Sequence, residues 1–169
     1  MPHSEPIVVM GVAGSGKSAV GAALAERLGL AFLDADSLHP AANVAKMAAG
    51  TPLDDEDRAP WLDAVAARLG GEPIVVACSA LRRAYRDRLR AGAPGVRFVL
   101  LDGPPELLAE RIGARRAHFM PAALLASQLA TLERPSPEER AVVVDVSPPV
   151  AEVAEAAARR LAEPLAASQ

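Results

Sequence analysis

The chain has 169 residues, a formal charge of −3 and a single cysteine, and about half of it is apolar although aromatics make up only 3%. This length suits one domain with an aliphatic core, and the acidic balance excludes a protein that coats nucleic acid through its overall charge. A lone Cys78 excludes an intramolecular disulfide, no apolar run is long enough to span a bilayer, and residues 1–6 lack a signal-peptide pattern, so a soluble cytoplasmic protein is expected.

Ile7-Val8-Val9-Met10 predicts a first strand, and an alanine-rich amphipathic run from Ala19 to Leu28 predicts a helix. Between them lies Gly11-Val12-Ala13-Gly14-Ser15-Gly16-Lys17-Ser18, which has the spacing of a phosphate-binding loop. Strand, glycine loop and helix come in the order that aims backbone N–H groups at an anion. Lys17 is placed to reach β- and γ-phosphate oxygens, and the Ser18 hydroxyl to bind Mg²⁺. The loop therefore implies ATP or another nucleoside triphosphate.

Ala31-Phe32-Leu33-Asp34 predicts a short buried strand that delivers Asp34 and Asp36. If that segment stays extended, alternate side chains share a side and both carboxylates face one cleft. One would help hold Mg²⁺, and the other would accept the proton of an attacking hydroxyl; turn-capping aspartates are the alternative. A helix from Pro40 to Ala49 follows, then an acidic connection at Asp54 to Asp57 that suits the first turn and cap of the next helix. Arg58 has two readings, a clamp on an anionic substrate or an exposed partner for those acids. His39 reads as a turn residue without metal-spaced companions.

Residues 73–78 form a continuous apolar run, the pattern of a strand buried on both faces. The helix expected from Ala80 to Arg90 carries five arginines, and Arg82 and Arg86, four apart, are expected to face a bound anion while Arg83, Arg88 and Arg90 lie on the surface. Further strands are expected at residues 96–101 and 141–146, with helices from Pro104, Pro121 and Pro149. Arg111, Arg115, Arg116 and His118 surround an aperiodic stretch and read together as a cationic lid, singly as helix C-terminal charges.

Strands alternating with helices imply a three-layer α/β/α sandwich of the P-loop NTPase type, with a five-stranded, mostly parallel sheet. Ligands then gather at the carboxyl ends of the strands. The chain is expected to be one domain over residues 1–169, with a substrate-covering region at 39–68 and a lid at 113–132.

These blocks resemble the bacterial-type gluconokinases, small P-loop kinases related to shikimate and adenylate kinases. Besides the loop, the carriers are Asp34-Ala35-Asp36-Ser37-Leu38-His39-Pro40 with Asn43 and Lys46-Met47, Gly50-Thr51-Pro52-Leu53, Asp57-Arg58 and Pro60-Trp61-Leu62. Cys78-Ser79-Ala80-Leu81-Arg82-Arg83 with Tyr85-Arg86-Asp87, His118-Phe119, Gln128 and Leu132-Glu133 complete them. The resemblance implies ATP- and Mg²⁺-dependent phosphorylation of D-gluconate at its 6-hydroxyl, and a tendency to form homodimers. It places Asp34 and Ser18 near Mg²⁺, Asp36 near the reactive hydroxyl, Arg58 near the substrate carboxylate, Arg111 against adenine and Arg115 or Arg116 over the phosphates. His39, Arg82, Arg86 and His118 join the expected substrate contacts. Ala35 departs from the glycine common between the two acids, which is tolerable if its φ is negative. The rivals are a kinase for another small hydroxy acid and a nucleotide-dependent switch or nucleic-acid-linked ATPase that uses the arginine helix.

Overall fold

The computed structural model describes residues 4–114 and 122–163. Five strands, β1 (Ile7–Met10), β2 (Ala31–Asp34), β3 (Ile74–Ala77), β4 (Arg97–Asp102) and β5 (Val142–Asp145), form one sheet in the order β2-β3-β1-β4-β5. Every pairing is parallel. The sheet is thus wholly parallel, and the carboxyl ends of all its strands share one edge.

β1 is central because its sequence is apolar on both sides. Ile7 and Val9 enter one core cluster, Val8 and Met10 the other, and all four are fully buried. Burying each such side chain contributes about 1.5–3 kcal/mol relative to exposure. On the first face lie α1 (Lys17–Leu28) and α7 (Val150–Ala162), whose Val20, Leu24, Val153 and Ala157 close over the strands. On the second face lie α3 (Asp55–Leu69) and α4 (Arg83–Gly92), through Trp61, Leu62, Val65 and Leu89.

Two shorter elements carry the site. A 3₁₀ turn at Ala35–Leu38 follows β2 directly and leads into α2 (Ala41–Ala48). The acidic connection does cap α3: Asp57 N–H donates to Asp54 Oδ1 at 2.8 Å, and Asp54 N–H donates back to Asp57 Oδ2 at 3.0 Å. This reciprocal pair satisfies two otherwise orphaned donors and starts the helix at Asp55, nearly two turns before Trp61.

α5 (Pro105–Ala114) and α6 (Ala122–Thr131) flank the remaining segment. The expected lid therefore falls only partly within the described residues, and Arg115, Arg116 and His118 lie outside them.

Candidate active site

The phosphate loop turns between β1 and α1 on backbone that only glycine accepts easily. Gly11 has φ 152°, and a Cβ there would stand 2.8 Å from Ser15 Oγ and 3.1 Å from the Leu101 carbonyl. Gly16 has φ 87° and caps α1 without a side-chain hydrogen bond. The first N–H groups of α1 are thus left for a ligand, and no acidic residue in the first turn competes for them. Ser15 is buried and donates to the Val12 carbonyl at 2.7 Å, so its role is to hold the loop's shape. Lys17 Nζ arches over the loop to the same carbonyl at 3.2 Å.

Ser18 Oγ donates to Asp34 Oδ2 at 2.6 Å. A hydroxyl and a carboxylate from two elements thus meet at the loop's exit, and such hard oxygen donors suit Mg²⁺, which takes few protein ligands and completes its shell with phosphate and water oxygens. No cluster of three or more His, Cys, Asp or Glu that could hold a metal ion occurs among the described residues.

The backbone through Asp36 follows a path different from the one the sequence suggested. The chain is not extended through Asp34-Ala35-Asp36; it folds into the 3₁₀ turn, and Asp34 Oδ1 caps that turn by accepting from Asp36 N–H at 3.0 Å. Asp34 therefore caps the turn, the alternative that the sequence left open, and its other carboxylate oxygen accepts from Ser18. Ala35 is fully buried with negative φ, since only Ala80 and Arg140 have positive φ among the described non-glycine residues. The departure from glycine is accommodated. Asp36 is an exposed residue, yet neighbouring protein strips part of the solvation of its carboxyl. That loss, followed by the charge of Asp34, raises its pKa above the ordinary carboxylate value, against the pull of Lys17 and His39.

α3 braces this turn. Trp61 Nε1–H donates to the Ala35 carbonyl at 2.7 Å, and the Trp61 ring stacks on His39 with centroids 4.3 Å apart. Burial lowers the pKa of His39, and Arg58 adds to that effect while Asp36 opposes it. Arg58 Nη1 donates to Tyr85 Oη at 3.2 Å, and Tyr85 Oη–H donates to Asp55 at 2.8 Å. The nearest Arg58–Asp55 approach is 4.0 Å, so Arg58 is set by Tyr85 more than by the acidic run. Tyr85 is a site residue that sequence reasoning did not assign.

The arginine helix requires correction. α4 begins at Arg83, and Arg82 precedes it in extended conformation. The two residues expected on one face are separated: Arg82 stays exposed beyond β3, with its charge reaching Tyr85, whereas Arg86 is fully buried. Arg86 faces no anion site. It donates to both carboxylate oxygens of Glu139, at 2.7 and 3.2 Å, and to the carbonyls of Ala80, Leu81 and Glu133. Of the other three, Arg83 and Arg88 do lie at the surface and Arg90 is partly buried, and each is paired with a carboxylate. Arg83 bridges Asp87 and Glu138, Arg88 grips Asp63 at 2.7 and 2.9 Å, and Arg90 reaches Glu139 while covering the Phe98 ring. Helical spacing identifies which residues share a face, but not whether that face meets core or cleft.

Arg111 Nη2 donates to the Val146 carbonyl at 2.6 Å, just past the end of β5 and on the ligand edge of the sheet. Gln128 on α6 was named only in the resemblance; its Oε1 accepts from the phosphate-loop N–H of Ala13 at 2.6 Å. No local sequence signal marks that contact, which spans 115 residues. Cys78 is a core thiol whose pKa burial pushes up to about 12, so it is inert.

A family model described as an AAA domain matches residues 7–135. The thermosensitive gluconokinase of Escherichia coli (strain K12) is 44% identical over 157 residues, covering 89% of this chain and 84% of that protein. The gluconokinase of Gluconobacter oxydans (strain 621H) is 49% identical over 143 residues, covering 82% of this chain and 80% of its own. Among solved structures, a gluconokinase from Sinorhizobium meliloti 1021 superposes with a TM-score of 0.88 at 53% identity, covering 96% of this chain and 94% of its own. Taken with the phosphate loop and the acidic turn beside it, these likenesses show that the chain belongs to the gluconokinase family of P-loop kinases.

Proposed function

We propose that this protein transfers the γ-phosphoryl group of ATP to the 6-hydroxyl of D-gluconate, giving 6-phospho-D-gluconate and ADP. The observation that carries this reading is the placement of Asp36, with its raised pKa, in the turn capped by an Asp34 that is joined to Ser18 of the phosphate loop. A phosphate-donor half and a proton-accepting half thereby share one constellation.

The N–H groups of residues 14–18 and the Lys17 ammonium bind and orient the nucleotide phosphates. Ser18 and Asp34 are the residues that would hold Mg²⁺, which when bound supplies charge neutralisation on phosphate oxygens. Asp36 accepts the hydrogen of the gluconate hydroxyl, fixing its lone pair in line with the phosphoryl group, and takes the proton as the new P–O bond forms. Arg58, oriented by Tyr85, pairs with the acceptor carboxylate, and exposed Arg82 adds positive charge on the same side. Arg111 packs against adenine. Arg115, Arg116 and His118 complete the reading as a cationic cover that excludes water over residues 113–132, and residues 39–68 form the part that embraces the acceptor. Homodimer formation belongs to the same reading and is checked by light scattering.

The rival that uses the arginine helix to contact nucleic acid loses its main support, because Arg83, Arg86, Arg88 and Arg90 are engaged by carboxylates of the same chain. A coupled ADP-release assay across gluconate, shikimate, other sugar acids, RNA and no acceptor tests the reading. Turnover is expected with gluconate and near background with the others. Equal turnover without acceptor, or stimulation by RNA alone, would contradict it.

A further inference from the structure

We propose that Asn43 is a positioning residue that fixes the tautomer of His39, so that the acceptor meets a neutral imidazole donating from Nε2. This inference rests on the reading of the site as a sugar-acid subsite.

A buried amide faces the imidazole. Asn43 is 3% exposed, and its Nδ2 lies 2.8 Å from the Asp57 carbonyl oxygen and 3.2 Å from His39 Nδ1. A carbonyl oxygen carries no hydrogen, so the group facing it must be the amide NH₂, and the orientation of Asn43 is decided. One of the two amide hydrogens serves Asp57. The other points at His39 Nδ1, which must then present its lone pair. A neutral imidazole with a lone pair at Nδ1 carries its proton at Nε2.

The partners cannot easily swing away from this arrangement. Asp57 is held by Lys46, which contacts both its carboxylate oxygens at 2.9 and 2.8 Å, and by its reciprocal cap with Asp54. The imidazole plane is set by Trp61, whose ring lies at an interplanar angle of 12° to it and is pinned by its own bond to Ala35. A proton on Nδ1 would face the Asn43 hydrogen directly, so the imidazolium form is disfavoured by geometry as well as by the burial that lowers the pKa of His39. Among the described residues Nε2 has no protein partner, and the charged groups that influence the ring are Asp36 and Arg58.

This state has a chemical use. A charged imidazolium would attract phosphate and other anions without discrimination. A neutral N–H donor instead gives a hydrogen bond to a hydroxyl oxygen. Asp36 and His39 together then offer an acceptor and a donor, the complement of the hydroxyl-bearing end of a polyhydroxy acid, while Arg58 takes the carboxylate end. A deoxy analogue that offers no oxygen to Nε2 loses that hydrogen bond and binds less well.

Nitrogen-15 NMR of the ligand-free full chain labelled at histidine, with His39 assigned by comparison with His39→Gln, reads the tautomer without any turnover. The expected spectrum has an unprotonated Nδ1 and a protonated Nε2; a protonated Nδ1 would overturn the assignment. Asn43→Ala is expected to lose the single tautomer and to raise KM for gluconate about five- to tenfold, with KM for ATP within about twofold. Asn43→Asp, if it folds, should move the proton to Nδ1, because a carboxylate there accepts from the ring. The terminal nitrogen of glutamine overlays Nε2 and that of asparagine overlays Nδ1, so His39→Gln should raise KM for gluconate about fivefold less than His39→Asn does. Equal effects of those two variants, or an unchanged KM in Asn43→Ala, would refute the positioning role. An Nε2–H tautomer in a protein that fails to phosphorylate gluconate would instead uphold the tautomer and sink the substrate reading.

Discussion

Replacing Arg86 with alanine should destabilise the fold rather than empty an anion site. The side chain is fully buried and donates five hydrogen bonds, two to Glu139 and one each to the carbonyls of Ala80, Leu81 and Glu133. The Glu139 side chain is 1% exposed, so deleting its partner leaves a buried carboxylate held by Arg90 and by the Ser136 N–H and hydroxyl. Breaking a buried pair in this way costs about 3–5 kcal/mol, a large part of the ~5–15 kcal/mol that holds a domain together. For a chain of this size each kcal/mol moves the thermal midpoint by about 2–4 °C, so calorimetry should record a fall of roughly 6–20 °C. Part of the loss comes from Ala80, whose carbonyl Arg86 holds while its backbone sits at φ 46°. A midpoint within about 2 °C of wild type, combined with a tenfold rise in KM for gluconate, would refute the structural assignment and restore the anion clamp.

The same pair sets an acid limit. Burial pushes the Glu139 pKa up, but hydrogen bonds from Arg86, Arg90 and the Ser136 N–H outweigh it and bring the value from the ordinary 4.5 down to about 2. Below 4.5 the unfolded chain takes up this proton before the folded one does, so the contribution is complete above that pH and is lost as pH falls towards 2. Denaturation midpoints measured from pH 6 to 2.5 should show that loss in wild type and a flatter profile in Glu139→Gln. Asp36→Asn should lower kcat by about 10²–10⁴-fold with an unchanged thermal midpoint, and turnover near wild type would remove the base assignment. Because the Asp36 pKa is raised, the acid limb of the wild-type kcat/KM profile should lie above 3.8, the ordinary aspartate value; a limb at or below it would contradict that environment. Arg58→Ala should raise KM for gluconate about 10–100-fold and leave KM for ATP nearly unchanged, whereas an effect confined to ATP would dismiss the clamp. Ser18→Ala should raise the Mg²⁺ concentration needed for half-maximal rate by about tenfold or more, and an unaltered Mg²⁺ dependence would displace Ser18 from the metal site.

Much of the architecture was legible in the chain because its signals are local. Val75 and Val76 sit in a run that is apolar at every position, which only a strand covered on both faces tolerates, and both are fully buried. The Asp54–Asp57 cap follows from acid spacing before an amphipathic helix, and the phosphate loop from its glycines. What escaped depended on partners distant in sequence. Arg86 lies 53 residues from Glu139, and its environment was settled by the chain returning after α6, which no helical wheel anticipates. The path of the chain through Asp36 was misjudged, because capping by Asp34 overrode the expected strand alternation. Asn43 stands four residues after His39, a spacing that places the two within reach, yet only the Asp57 carbonyl reveals which way its amide points.

The central claim is that donor and acceptor halves of one site serve a single transfer to gluconate. Incubating the protein with Mg²⁺, γ-labelled ATP and ¹³C-gluconate, then locating the phosphate by phosphorus–carbon coupling, tests it directly. The account predicts one product, phosphorylated at C6 and formed in equal amount with ADP. Release of inorganic phosphate with gluconate unchanged, or phosphate on another carbon, would contradict it.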